Sequence, residues 1–177
     1  MSFFIINLFI LVIILVLLLL LSWVWPPDSP WSPWWKTTAA VAHVVVRLAK
    51  LTNKDIIFEL GCGDAEHLIV FAKKYKIRCV GVEIDPLRYL IAKWNVRRNR
   101  LDKKITIRKG NLYDCDISTA TVIYVYLLPR VLKKLLPIFK KQLKPGTKII
   151  SYRYKIEGLK QIGFDEKNII YVYKVSR

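Results

Sequence analysis

The residues best suited to chemistry are two carboxylates set around a glycine pair: Glu59-Leu60-Gly61-Cys62-Gly63-Asp64-Ala65, then Glu83 at the end of the next apolar run. Ile56 to Leu60 reads as a buried parallel strand, after which Gly61 and Gly63 let the backbone turn tightly and approach a ligand that a Cβ would push away. Cys79 to Glu83 reads as the next strand, reached through a helix-like stretch from Glu66 to Tyr75. In a βαβ unit the two strand ends lie side by side, so a carboxylate about 20 residues beyond the glycines can accept both hydroxyls of a ribose. A Gly-x-Gly turn alone is often only a tight turn; the acid at the second strand end is what points to a nucleotide. A dinucleotide site calls for Gly-x-Gly-x-x-Gly with no acid ahead of it, whereas here Glu59 leads and the third glycine is missing.

An acid followed by spaced glycines resembles the first motif of class I S-adenosylmethionine-dependent methyltransferases, matched by Glu59, Gly61 and Gly63 and departing from it at Ala65. The resemblance extends over most of Asp55 to Lys148 and includes the turn Lys144-Pro145-Gly146, which resembles the entry to the family's fifth strand. It implies S-adenosylmethionine as cofactor, held by Glu59, Gly61, Gly63, Asp64, Glu83, Ile84 and Asn111. Asn111 stands where many members carry an aspartate facing the adenine amino group, and an ordinary polar loop residue is the alternative there. The resemblance also places Tyr126, Leu128 and Pro129 at the methyl-transfer pocket, with Tyr126 orienting the acceptor amine through its hydroxyl or ring. Ordinary strand aromatics are the plain alternative for Tyr124 and Tyr126. The chemistry asks for alignment, desolvation and loss of a proton from the amine, not for a catalytic dyad or a metal.

The elements that must position these residues follow from pattern. Asp55 to Arg177 alternates strands and helices, the signature of an α/β, Rossmann-like, doubly wound and mostly parallel sheet. Ile105 to Gly110 and Thr121 to Leu127 read as further strands, Pro86 to Arg100 and Leu128 to Leu143 as helices, and Pro137 should kink or split the latter. Ile169 to Val175 reads as a last strand, antiparallel by resemblance. Thr37 to Lys50, with Val41, Val44, Val45 and Leu48 on one face, reads as an amphipathic helix packing on the sheet edge.

Ahead of this domain, Phe3 to Trp25 carries no charge, and at about 1.5 Å per residue such a helix crosses a hydrocarbon core of roughly 30 Å. The expected organisation is a transmembrane anchor over residues 1–25, a Pro- and Trp-rich linker over 26–36 and a methyltransferase domain over 37–177. A cleaved signal peptide would need a basic start and a small-residue cleavage site, neither of which is visible. Trp23, Trp25, Trp31, Trp34 and Trp35 suit the membrane interface. The formal net charge of +17 lies entirely after the anchor, which places the domain on the cytoplasmic side of a single-pass membrane protein. The stretches Arg88 to Lys104 and Lys133 to Lys144 are expected to face anionic lipid, with a merely solvated surface or RNA as alternatives. Cys62, Cys79 and Cys115 read as reduced thiols, and His43 and His67 as helix residues without partners.

With about 150 residues after the anchor, substrate recognition is expected from the linker, the anchor and the loops at the strand ends. The combination of anchor, first motif, Val82-Glu83-Ile84-Asp85-Pro86 and Tyr124-Val125-Tyr126-Leu127-Leu128-Pro129 resembles the small membrane-anchored protein lysine methyltransferases, whose relatives modify the ATP synthase c subunit and the adenine nucleotide translocase. That implies a lysine of an integral membrane protein as substrate. RNA, a small lipophilic molecule, or a non-catalytic scaffold role are the alternatives; nucleic acid lacks a recognised binding module.

Overall fold

A computed structural model describes residues 2–24 and 40–176 of the chain. These form two compact units dividing between residues 36 and 37. Among the described residues the first unit holds α1 (Ser2–Val24), in which every side chain from Phe3 to Leu21 is exposed. Its one polar side chain in that stretch is turned inward on the helix: the Asn7 amide donates to the Phe3 carbonyl at 2.8 Å. An amide satisfied by its own backbone asks nothing of its surroundings, which suits an apolar solvent. The expected linker over 26–36 lies outside the described residues, as do Trp25, Trp31, Trp34 and Trp35.

The second unit is built on a seven-stranded sheet. Its elements run α2 (Ala40–Leu48), β1 (Ile56–Leu60), α3 (Glu66–Tyr75), β2 (Arg78–Glu83), α4 (Pro86–Arg98), β3 (Ile105–Lys109), β4 (Val122–Val125), α5 (Pro129–Gln142), β5 (Lys148–Tyr152), β6 (Lys160–Asp165) and β7 (Ile170–Lys174). The strand order is β3-β2-β1-β4-β5-β7-β6, parallel from β3 to β5 with β7 and β6 antiparallel at the far side. One core cluster packs α2, α3 and α4 on one face of the sheet, and a second packs α5 on the other. Strands β1 and β4, with apolar side chains facing both clusters, are therefore buried from end to end, apart from the half-buried Ile56.

The chain winds outward from β1 to β3 in one direction and from β4 to β5 in the other, so the reversal falls between β1 and β4. In sheets of this kind a ligand crevice forms at the carboxyl ends of the strands at that point. The register sets what lines it: Leu60 pairs with Val82 on one side and with Val125 on the other, and Val125 pairs with Ser151. Glu83, Gly61, Tyr126 and Tyr152 thus follow one another along a single edge.

Three expectations differ from what is found. Strand β6 was not foreseen, because its residues are mostly exposed and it pairs only with β7, leaving little apolar pattern to read. Helix α5 runs unsplit through Pro137. Both Pro137 and Lys133, whose carbonyl it leaves without a helical amide, are exposed, so that carbonyl can bond to water. Arg88, read as part of a basic surface, is only 4 % exposed and lies within electrostatic reach of Asp85, Glu83 and Asp64.

Candidate active site

The glycine turn is held by the neighbouring strand. The amides of Gly61 and Cys62 both donate to the Val82 carbonyl, at 2.9 and 3.0 Å, while Gly61 and Gly63 adopt φ of 80° and 55°. Ala65 also sits in the left-handed region, at φ 64° and ψ 23°, immediately before α3. This is the position where a glycine would be unstrained. Alanine tolerates it at a cost of roughly 1–2 kcal/mol, and its methyl is wholly buried in the core cluster around α3. Gly81 allows this packing from below: a Cβ there would lie 2.7 Å from both the Cys62 sulfur and Leu68 Cδ1. The sequence offered Gly81 as part of a strand, without a hint that it replaces the bulk the loop needs.

Glu83 organises the site's second edge. The Gly63 amide donates to Glu83 Oε2 at 2.8 Å, and the Asp85 amide donates to Oε1 at 3.0 Å. One side chain thereby locks the glycine turn to the end of β2. An ionised carboxylate has about four acceptor positions, so two remain for a vicinal diol. Burial pushes this carboxyl up from its ordinary value, against the two amide bonds that lower it. Asp85 then caps α4, accepting from the Arg88 amide at 2.7 Å with Pro86 in the first turn. Ile84, half-buried, lies between these two acids.

Asp64 stabilises the start of α3, accepting from the Glu66 amide at 3.3 Å, and its carbonyl accepts from the Asn95 side chain at 3.0 Å. Asn95 is a positioning residue that pattern reading missed, since an amide in a mixed helix carries no signal of its own. Asn111 is exposed, and its Oδ1 already accepts from the Tyr113 amide at 3.0 Å. The turn it caps is a local Asx turn, so a contact to a base would use its remaining lone pair.

Glu59 points away from a simple solvent role. It is 6 % exposed, and His67 Nδ1 lies within hydrogen-bond distance of its Oε1, at 3.2 Å. Its Oε2 is buried with no hydrogen-bond partner, as is the Tyr124 hydroxyl. The His67 ring stands edge-on to Tyr124 at 5.2 Å between centroids. His67 and His43 were expected to lack partners. In fact His67 meets Glu59, and His43 Nδ1 lies 2.7 Å from the Tyr75 hydroxyl, contacts across 8 and 32 residues that only the fold supplies. Burial raises the Glu59 carboxyl, with His67 opposing and the charges of Asp64 and Glu83 adding to the rise. Three acids therefore share one field, and an orphaned acceptor stands among them. This arrangement fits a cationic nucleoside: lone pairs for a ribose at Glu83, a turn without side chain at Gly61, and excess negative charge for a sulfonium and an ammonium.

At the β4 end, Tyr126 is half-buried, with Tyr152 edge-on at 4.8 Å and Tyr154 stacked at 6.3 Å. Burial, with Tyr154 and Tyr152 adding to it, raises the Tyr126 hydroxyl above its ordinary value, so it remains protonated at neutral pH. Leu127 packs within 3.4 Å of where a Gly61 Cβ would stand. Leu128 and Pro129 begin α5, Leu128 at the N-cap and Pro129 in the first turn. Tyr152 and Tyr154 were not singled out from sequence, although Ser151-Tyr152-Arg153-Tyr154 closes the fifth strand as Tyr124-Val125-Tyr126 closes the fourth. The three cysteines are free thiols.

A parallel sheet with this strand order, a glycine turn after β1 and an acid closing β2 define a class I methyltransferase, with S-adenosylmethionine as methyl donor. A family profile described as the ANTKMT methyltransferase domain matches residues 59–163, and the chain belongs to that family. A protein-lysine N-methyltransferase of Saccharolobus islandicus is 38 % identical over 130 residues, covering 73 % of this chain and 81 % of the relative. The crystal structure of an RNA methyltransferase from Salinibacter ruber, in complex with S-adenosyl-L-homocysteine, superposes with a TM-score of 0.75 at 32 % identity, covering 81 % of this chain and 95 % of that one. A ribosomal protein L11 methyltransferase of Alkaliphilus oremlandii is 33 % identical over 89 residues, which are 50 % of this chain and 28 % of the relative.

Proposed function

We propose that this chain is a membrane-anchored protein-lysine methyltransferase whose substrate is a lysine of an integral membrane protein, close to the bilayer surface. One observation carries the reading: an apolar, charge-free helix from Phe3 to Leu21 belongs to the same chain as the site at Gly61 and Glu83. The Saccharolobus relative supports lysine as the acceptor.

S-adenosylmethionine supplies an electrophilic methyl on a sulfonium. In this reading Glu83 holds the ribose through its two free acceptor positions, while Glu59, Asp64 and Glu83 together favour the positive charge. Asn111 meets the base, and Gly61, Gly63 and Ile84 leave room along the turn. Tyr126, with Leu128 and Pro129, lines the acceptor side. The Tyr126 hydroxyl, kept protonated by its surroundings, orients the amine, and the rings of Tyr152 and Tyr154 wall it from water. Desolvation would favour the neutral amine, and Tyr126 would orient it towards the methyl donor. The ammonium would pass its proton to bulk water before the amine enters the pocket, so no dedicated base is required.

The excess of Lys and Arg after the helix, by the positive-inside tendency, supports a cytoplasmic position for the domain in this proposal. A second reading, methylation of RNA, has the Salinibacter structure in its favour. Incubating source membranes and RNA with the full chain and methyl-labelled cofactor separates them. The lead reading expects protease-sensitive label in the membrane-protein fraction. Label confined to RNA or to lipid would defeat it.

A further inference from the structure

Helix α4 has two apolar faces. One, around Ala92 and Val96, packs into the core. Leu87, Leu90 and Trp94 lie at i, i+3 and i+7 on another face, and they are 51 %, 60 % and 57 % exposed. Single exposed leucines are common on soluble proteins, but three large apolar side chains in one helical stripe are a surface that wants a partner. Among the described residues nothing covers them.

The stripe's borders are cationic. The Arg98 guanidinium lies over the Trp94 ring at 4.6 Å, and Lys93 Nζ over the Tyr89 ring at 5.4 Å. Arg97 is drawn only loosely to Asp102, at 3.8 Å with both side chains exposed. No acidic residue occurs between Pro86 and Arg98. An apolar stripe with an indole at its end and cations along its sides matches a bilayer interface, where leucines enter the acyl boundary, tryptophan sits at headgroup level and Lys or Arg meets anionic phosphate. RNA fits less well: it would leave Leu87 and Leu90 without apolar contacts while using only the cations.

We infer that α4 is a membrane-docking helix, laying Leu87, Leu90 and Trp94 into an anionic bilayer surface. Because Asp85 caps the same helix and Glu83 precedes it, docking fixes the mouth of the cofactor site at a set distance from the lipid. The inference rests on the reading of Phe3–Leu21 as a span, and its test separates the two. The full chain, with Cys115→Ser and Leu90→Cys carrying an environment-sensitive fluorophore, is reconstituted into vesicles containing phosphatidylserine and headgroup-level nitroxide lipid. A second preparation carries the label at Lys167→Cys, in the exposed turn between β6 and β7.

The expected result is that the chain co-floats with vesicles after alkaline washing and the label at 90 shifts to the blue. The nitroxide should quench it at least twofold more strongly than the label at 167. Substituting Lys93→Glu and Arg98→Glu should remove most of that difference without releasing the chain from the vesicles. A chain that co-floats while the label at 90 reports water overturns the docking inference and spares the span. A blue shift without nitroxide quenching also overturns it, because another protein segment then covers the stripe. Failure to co-float overturns both.

Discussion

Among single residues, Glu83 and Glu59 are two buried carboxylates with different duties. Replacing Glu83 with Ala leaves the buried Gly63 and Asp85 amides without an acceptor. Each orphaned amide costs roughly 1–3 kcal/mol, so the domain should lose about 2–6 kcal/mol and its cofactor affinity together. Glu83→Gln keeps one of the two acceptor oxygens and turns an NH2 towards the other amide, so it should fold with a loss of about 1–3 kcal/mol, while titration calorimetry reads at least tenfold weaker cofactor binding; unchanged affinity would remove Glu83 from the proposed ribose site. Glu59 gives a pH signature. Its folded carboxyl lies above the ordinary 4.5, so the folded state keeps that proton to higher pH than the unfolded chain does. The stability it contributes is full below 4.5 and is lost as pH rises towards the raised value. Glu59→Gln should therefore flatten the decline of the urea midpoint across that range, leaving the part due to Glu83; an unaltered slope would contradict the direction. Tyr126→Phe should slow methyl transfer about tenfold, the worth of one hydrogen bond to the amine, with cofactor affinity unchanged. Equal losses in both would dismiss its proposed role.

At the element scale, the glycine turn works because neighbouring elements give it room. Gly81→Ala would drive a methyl into Cys62 and Leu68, so about 1–3 kcal/mol of stability should be lost, and with it the fixed position of the turn. Ala65→Gly should be near neutral in thermal melts, since relief of left-handed strain is offset by chain entropy and a lost buried methyl. Ala65→Val should lower the melting temperature by several degrees, because a β-branched residue is excluded from φ 64°. What could be read from the chain follows the same division. The span of α3 from Glu66 to Tyr75, the ends of β1 and β2 and the start of α4 at Pro86 are local, set by apolar runs, glycines and a proline. The contacts of His67 with Glu59, of Asn95 with the Asp64 carbonyl, and of Tyr126 with Tyr152 and Tyr154 join separate elements. They appear only once the sheet order is known. Strand β6 escaped because an exposed edge strand needs no hydrophobic alternation to pair with β7.

At the scale of the whole molecule, the proposed meaning of the site depends on the span. Leu11→Lys with Leu15→Lys places two charges in the middle of α1, each costing roughly 2.5–3.5 kcal/mol at a bilayer centre. Methylation of a membrane-embedded acceptor should then fall by about 10²-fold as effective concentration is lost, while a soluble peptide acceptor is methylated as before. Equal loss on both would mean that α1 serves folding and not tethering. The most direct test of the central claim is to find where the methyl goes. Source membranes should be incubated with the full chain and isotopically labelled S-adenosylmethionine, and the products mapped by peptide mass spectrometry. Label is expected on the Nζ of a lysine at the membrane boundary of an integral protein, and about tenfold less of it with Glu83→Gln when the cofactor is kept below saturation. Label on RNA, on lipid or only on soluble proteins would contradict it.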